Sequence, residues 1–167
     1  MEHIFKDENY CTLVNDILNN KDFIKTDNIE HHGTTRFAHS LRVSYYSYIL
    51  ACKWGLNSLS VARAGLLHDY FMSSEDRTKL ERFISTFIHP KYALRNASAQ
   101  FELSDLEKDI IVTHMFPINY RIPKYAESWL VSFVDKGVGF LEFYYSFQQK
   151  FKYALRYVYL FVFLKLH

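Results

Sequence analysis

The sequence predicts an all-α fold, on three observations. The 167 residues include only 5 Gly and 3 Pro, too few for the many tight turns of an all-β protein. Apolar residues recur at helical spacing over long stretches. Serine, asparagine and glycine stand where helices need to start and stop.

Residues 37–54 are rich in apolar side chains and end at Gly55, which suits the position just past a helix. Asn57 and Ser58 cap a helix that runs to Leu67, and Ser73 and Ser74 cap another, with Phe83, Ile84 and Phe87 on its inner side. Pro90 follows His89, and proline is preferred at the first helical position, so a new helix is expected from there to about Phe101. Ser104-Asp105-Leu106-Glu107 is a capping box and opens a helix that ends at His114. Pro123 opens the next helix, which reaches Asp135 or beyond. From Phe140 the stripe Phe140, Tyr144, Phe147, Phe151, Leu155, Val158, Val162 keeps helical spacing. The last ten residues, rich in Val, Phe and Tyr, also suit a strand, and helix is the preferred reading. The expectation is a single domain over 1–167, with 140–167 as a C-terminal aromatic helix.

At 49% apolar the composition is globular, and a chain of 167 residues buries a sizeable core without disulfides. A net charge of +2 is too small for a nucleic-acid scaffold, so no stable nucleic-acid partner is expected. It leaves room for anionic small molecules, for which a few placed cations suffice. Cys11 and Cys52 form no CxxC pattern, and the opening Met1-Glu2-His3 leads to Lys6, Asp7 and Glu8 rather than to an apolar signal. A reducing, cytoplasmic setting is expected. The longest uncharged stretch of the tail, 157–164, falls well short of the about 20 apolar residues that a membrane span needs.

Chemistry is signalled by ionisable residues set in or at the end of apolar runs. Ala64-Gly65-Leu66-Leu67 leads into His68-Asp69, Ile110-Ile111-Val112 leads to His114, and Trp129-Leu130-Val131-Ser132-Phe133-Val134 leads to Asp135. His39 sits among Phe37, Ala38, Leu41 and Val43. Burying a carboxylate costs several kcal/mol unless it is paired or metal-bound, so two of them among several histidines suggest a shared cation. Helical spacing puts Leu106, Ile110 and His114 on one face, Val131 and Asp135 on another, and Val61, Gly65 and His68 on a third. Gly65 would let a neighbouring helix approach closely. His68 and Asp69 can reach one ion only where the backbone turns at a helix end. Imidazole and carboxylate together suit Zn, Fe, Mn, Ni or Co.

The ordered set His39, His68-Asp69, Asp135 resembles the H…HD…D signature of the HD phosphohydrolase superfamily. The resemblance covers about residues 34–136. Its most specific blocks are Arg36-Phe37-Ala38-His39-Ser40-Leu41-Arg42-Val43, Ala64-Gly65-Leu66-Leu67-His68-Asp69 and Val134-Asp135-Lys136. His89 and His114 resemble the extra ligands of the binuclear branch. That branch includes cyclic-dinucleotide phosphodiesterases and the bacterial symmetrical diadenosine tetraphosphate hydrolases, to which the blocks look closest. Two stretches differ from the family pattern. Tyr70, Phe71 and Met72 follow the HD pair where a lysine or acidic residue is common, and Thr113-His114-Met115-Phe116-Pro117 lacks the glycine of the tetraphosphate hydrolases.

The resemblance implies an all-α HD bundle holding one or two divalent transition-metal ions. The first would take His39, His68, Asp69 and Asp135. The second would take His89 and His114, with Asp69 bridging and serving as the catalytic carboxylate. Metal-activated water would attack phosphorus in a nucleotide or other small phosphorylated substrate. A helix starting at Pro90 would add backbone N–H groups that favour anions. Arg42, Lys91 and Lys136 lie near the ligands in sequence and are expected substrate contacts, although solvated surface cations are the plainer reading of each. His31 and His32, before Gly33, belong to a loop and receive no role. The alternatives are a dinucleotide hydrolase, a non-catalytic HD ligand-binding module and an interaction protein working through the tail. A homodimer contact through 140–164 is the first reading of the tail and a peripheral membrane contact, helped by Lys150, Lys152, Arg156 and Lys165, the second.

Overall fold

The computed structural model describes residues 2–31, 34–71 and 79–165. Three short helices, α1 (Glu8–Leu13), α2 (Asn15–Leu18) and α3 (Lys21–Ile24), open the chain. A 3-10 turn (Lys25–Asn28) leads to a two-residue antiparallel ladder between β1 (Glu30–His31) and β2 (Thr34–Thr35). The body follows: α4 (Arg36–Trp54), α5 (Ser58–Leu67), α6 (Lys79–Gln100), α7 (Asp105–Thr113) and α8 (Ala126–Lys165). The fold is all-α, and the small ladder takes His31 out of the expected loop.

Local chemistry explains most boundaries. Thr35 caps α4 by accepting from the Ala38 N–H, and Gly55 ends it in the left-handed conformation at φ 68°. Asn57 accepts from Ser60 N–H at the start of α5. At α7 both halves of the capping box form between Ser104 and Glu107. The expected cap at Ser73 and Ser74 and the side chains of Phe83 and Ile84 lie outside the described residues.

Two expectations are corrected. Pro90 does not open a helix but lies inside α6, which runs unbroken through it. Proline removes one ladder hydrogen bond, but Pro90 is buried and Ala93 and Ala97 on the following turns are fully so, and core burial outweighs the local preference. Among the described residues no free helix N-terminus therefore stands beside His89, and the anion site expected at Pro90 does not form. α8 begins at Ala126 rather than at Pro123, after a loop anchored by Asp109, which accepts from Lys124 N–H and Ser128 Oγ. It then continues through Gly137 and Gly139, each an interior cost of only about 1 kcal/mol. The tail helix expected from Phe140 is the second half of α8.

α4 lies against both α5 and α8. A Cβ built on Gly65 of α5 would come within 2.7 Å of the Ser44 backbone, so only glycine permits this approach. Ser44 Oγ donates to the Ala62 carbonyl and bonds the hydroxyl of buried Tyr10, which fastens α1 to the same seam. Phe140, Phe143, Phe147, Phe151 and Tyr157 are all more than half exposed. Among the described residues no helix is long and apolar enough to cross a membrane.

Candidate metal centre

His39 stands one turn into α4, His89 in α6 and Asp135 in α8, while His68 and His114 cap the C-termini of α5 and α7. Asp69 follows His68 in the turn closed by Tyr70 N–H to the Leu67 carbonyl and Phe71 N–H to the Asp69 carbonyl. That turn lets neighbouring residues face one centre, as the sequence requires. All six side chains converge, with His39, His68 and His114 at most 1% exposed.

One local device repeats. His68 Nδ1 donates to the Gly65 carbonyl and His114 Nδ1 to the Ile111 carbonyl, each at 2.7 Å and three residues back. Helix ends leave such carbonyls without ladder partners, so a capping histidine satisfies one of them. A carbonyl only accepts, so Nδ1 keeps its proton and, in the neutral ring, Nε2 is left to present a lone pair to the centre. His39 is anchored differently, with Nδ1 at 2.8 Å from Glu142 Oε2.

Two clusters result. Asp135 Oδ1 lies 3.0 Å from His39 Nε2 and 3.5 Å from His68 Nε2. Asp69 Oδ1 lies 3.2 Å from His89 Nε2 and 3.6 Å from His114 Nε2, while its Oδ2 is 3.8 Å from His68 Nε2. Asp69 thus stands between the two. His89 Nε2 and His114 Nε2 are 3.0 Å apart. Because His114 presents a lone pair there, His89 either donates to it or joins it in facing one cation. The His89 ring stacks on Phe71, whose carbonyl is held by Arg36 Nη1. The Arg36 guanidinium also lies 3.9 Å over the Phe71 ring.

The residues fit a metal. Among the described residues His68 Nε2 is buried without a hydrogen-bond partner, and an orphaned polar atom costs about 1–3 kcal/mol. His39, His68 and Asp135 form one group able to hold an ion, and His68, Asp69 and His114 another. Electrostatics agree. Burial works against a charge on His39, but the hydrogen bonds to Asp135 and Glu142 outweigh it and carry the imidazole up to about 10. Burial opposes charge on Asp135 too, and His39 and His68 overcome it, holding the carboxyl well below its usual range. His68 is also raised, since Asp69 and Asp135 outweigh its burial. Burial and the neighbouring His68 press His114 down to about 3. Without a cation, protons concentrate on the His39 side of the centre.

The three cations singled out by sequence do not share one role. Lys136 Nζ donates to the His114 carbonyl and to Ser132, so it braces a histidine in the cluster. Arg42 pairs with Glu142 and bonds Thr34. Lys91 is exposed and lines a cavity of about 430 Å³ with Phe87, Pro90, Val112, Asn119, Tyr120 and Arg121. Arg121 and Glu142 escaped the sequence reading. Glu142 had a signal: it is the sole acidic residue after Asp135 and lies seven positions on, two helical turns along the same face.

The family model for the HD domain matches residues 36–136, more than half of the 167-residue chain. The chain belongs to the HD domain family, whose members are generally metal-dependent hydrolases, some of them non-catalytic. The matched region contains all six clustered His and Asp residues and stops short of Glu142. No curated protein and no solved structure matches the chain.

Proposed function

We propose that this protein is a metal-dependent phosphohydrolase acting on a nucleotide or other small phosphorylated molecule, in a reducing cytoplasmic setting. His39, His68, Asp69 and Asp135 hold the first ion. His89 and His114 hold the second, with Asp69 shared. The observation that carries this is the convergence of three Nδ1-anchored imidazoles on two carboxylates, Asp69 buried and Asp135 partly so, within an HD domain. When bound, the metal supplies an activated water and neutralises charge on phosphate oxygens. The chain supplies placement. Carbonyl and carboxylate partners lock the imidazoles, Lys136 braces the His114 end, and burial keeps His39, His68 and His114 from water.

Support for a phosphorylated substrate comes from the cavity lined by Pro90 and Lys91, which follow His89 in α6. Lys91 and Arg121 offer two cations. Asn119 Nδ2 is tied to the Val112 carbonyl at 2.8 Å, which fixes the amide and leaves Oδ1 buried without a partner among the described residues. That pairing of cations with an unused acceptor suits a phosphate group carried by a molecule with its own N–H or O–H donors, as in a nucleotide.

The test is a panel of nucleoside mono- and polyphosphates, diadenosine tetraphosphate, cyclic dinucleotides and a chromogenic phosphate ester, each with Mn²⁺ and with excess chelator. Chelator-sensitive hydrolysis is expected, and Lys91→Ala or Arg121→Ala should raise KM by about tenfold with kcat little changed. Turnover confined to the dinucleotides would select that narrower reading. No turnover of any substrate by metal-loaded protein would favour a non-catalytic HD module.

The exposed aromatic residues of α8 support a covering partner, and the proposed occupant is a second copy of the chain. Sedimentation velocity should show a dimer. A purely monomeric 167-residue chain that is recovered with lipid vesicles would replace this reading with a membrane contact.

A further inference from the structure

We propose that Glu142 is a positioning residue for the metal centre: its carboxylate sets the His39 ring so that Nε2 faces Asp135. The proposal rests on the metal reading of the site. His39 Nδ1 lies 2.8 Å from Glu142 Oε2 while Nε2 of the same ring lies 3.0 Å from Asp135 Oδ1. A ring held at both nitrogens turns only by breaking both contacts. Asp135 and Glu142 are two turns apart on one face of α8, so a single helix grips the ring from both ends.

The carboxylate is itself fixed. Arg42 Nη1 binds Glu142 Oε1 at 2.5 Å, and Arg42 lies one turn beyond His39 on α4. Glu142 is only 9% exposed, so water competes little for either oxygen. The need for it follows from where His39 sits. His68 and His114 cap helix ends and borrow carbonyls that the ladder leaves unused. His39 is inside α4, where the preceding carbonyls serve the helix, so its Nδ1 requires an acceptor from another element. Glu142 lies beyond the residues matched to the family, so the second half of α8 contributes to the centre that the domain provides.

A plainer role is a clasp that only ties α8 to α4 through Arg42. Titration of Mn²⁺ into metal-free protein separates the two. Glu142→Ala should lower affinity by about 10- to 100-fold, and Glu142→Gln, which keeps an acceptor oxygen, should recover part of it. Phe143→Ala, the exposed neighbour on the same helix, should leave affinity unchanged. Equal affinity in wild type and Glu142→Ala overturns the proposal even if melting falls, as a clasp alone would produce. A crystal structure of metal-free Glu142→Ala keeps this outcome apart from failure of the metal reading. A His39 ring turned away from Asp135 supports positioning even in a chain that binds no metal. A ring still beside Asp135 overturns it. Where the alanine variant does not fold, Glu142→Leu, which fills the space without an acceptor, carries both measurements, and wild-type affinity with an unmoved ring overturns the proposal.

Discussion

Asp69→Ala is expected to abolish metal binding, whereas wild-type protein purified without chelators should carry about one or two transition-metal ions per chain by elemental analysis. The expectation follows from where Asp69 stands. Its Oδ1 faces His89 and His114, and its Oδ2 faces His68, so one carboxylate serves both groups of donors. Removing it leaves His89 and His114 without their carboxylate and deprives the His39 group of one of its two. Asp135→Ala is the informative companion, because Asp135 contacts only His39 and His68 among these histidines in the ion-pair geometry. A binuclear centre should lose both ions in Asp69→Ala and keep about one in Asp135→Ala. Hydrolysis should fall by about 1,000-fold or more in both, since members of one catalytic unit do not act additively. Wild-type metal content in Asp69→Ala would remove Asp69 from the ligand set. A wild-type chain that takes up no Mn, Fe, Ni or Zn after reconstitution would sink the metal mechanism and bring the binding-module reading forward.

Much of this centre was legible because its signals are local or thermodynamic. Gly55, Asn57 and Ser104 act within a few residues, and each ends or starts a helix where the sequence places it. His39, His68, Asp69, His114 and Asp135 stood out because charge at the end of an apolar run demands a partner, whatever the fold. What escaped depends on long-range packing. Pro90 follows a local preference only when nothing stronger opposes it, and burial along α6 does. Lys136 is adjacent to Asp135 in sequence, yet the side chain turns to Ser132, four residues back, and to the His114 carbonyl. Glu142 was hidden by dividing α8 at Gly139. Read as one helix, the Asp135 face extends to Glu142, and a lone carboxylate among aromatic residues asks for a partner just as Asp135 does.

The metal affinity of the protein is expected to rise steeply with pH. A coordinating imidazole must be neutral, yet the metal-free centre holds His39 up to about 10, because the hydrogen bonds to Asp135 and Glu142 outweigh its burial. At neutral pH the incoming ion must therefore displace a proton. The apparent association constant for Mn²⁺ should grow by at least about tenfold for each pH unit between about 6 and about 8.5. His68, raised by Asp69 and Asp135 against its burial, adds to that slope. His114 does not, since burial and the His68 charge keep it neutral down to about 3. Stability of the metal-free chain should respond on both sides. His39 has a folded value of about 10 against 6.5 for the free side chain, so its contribution is complete below 6.5 and is lost as pH rises through 10. His114 has a folded value of about 3 against 6.5, so the unfolded chain takes a proton that the folded chain refuses, and stability falls as pH drops from 6.5 toward 3. Melting temperature should accordingly peak near neutrality without metal, and the gain on adding Mn²⁺ should widen as pH rises. Calorimetric titration in buffers of different ionisation enthalpy should count about one or more protons released per binding event at pH 7. An affinity that is flat with pH, with no proton release, would mean that His39 is neutral in the metal-free chain and that its carboxylate partners do not hold a proton in the cation's place.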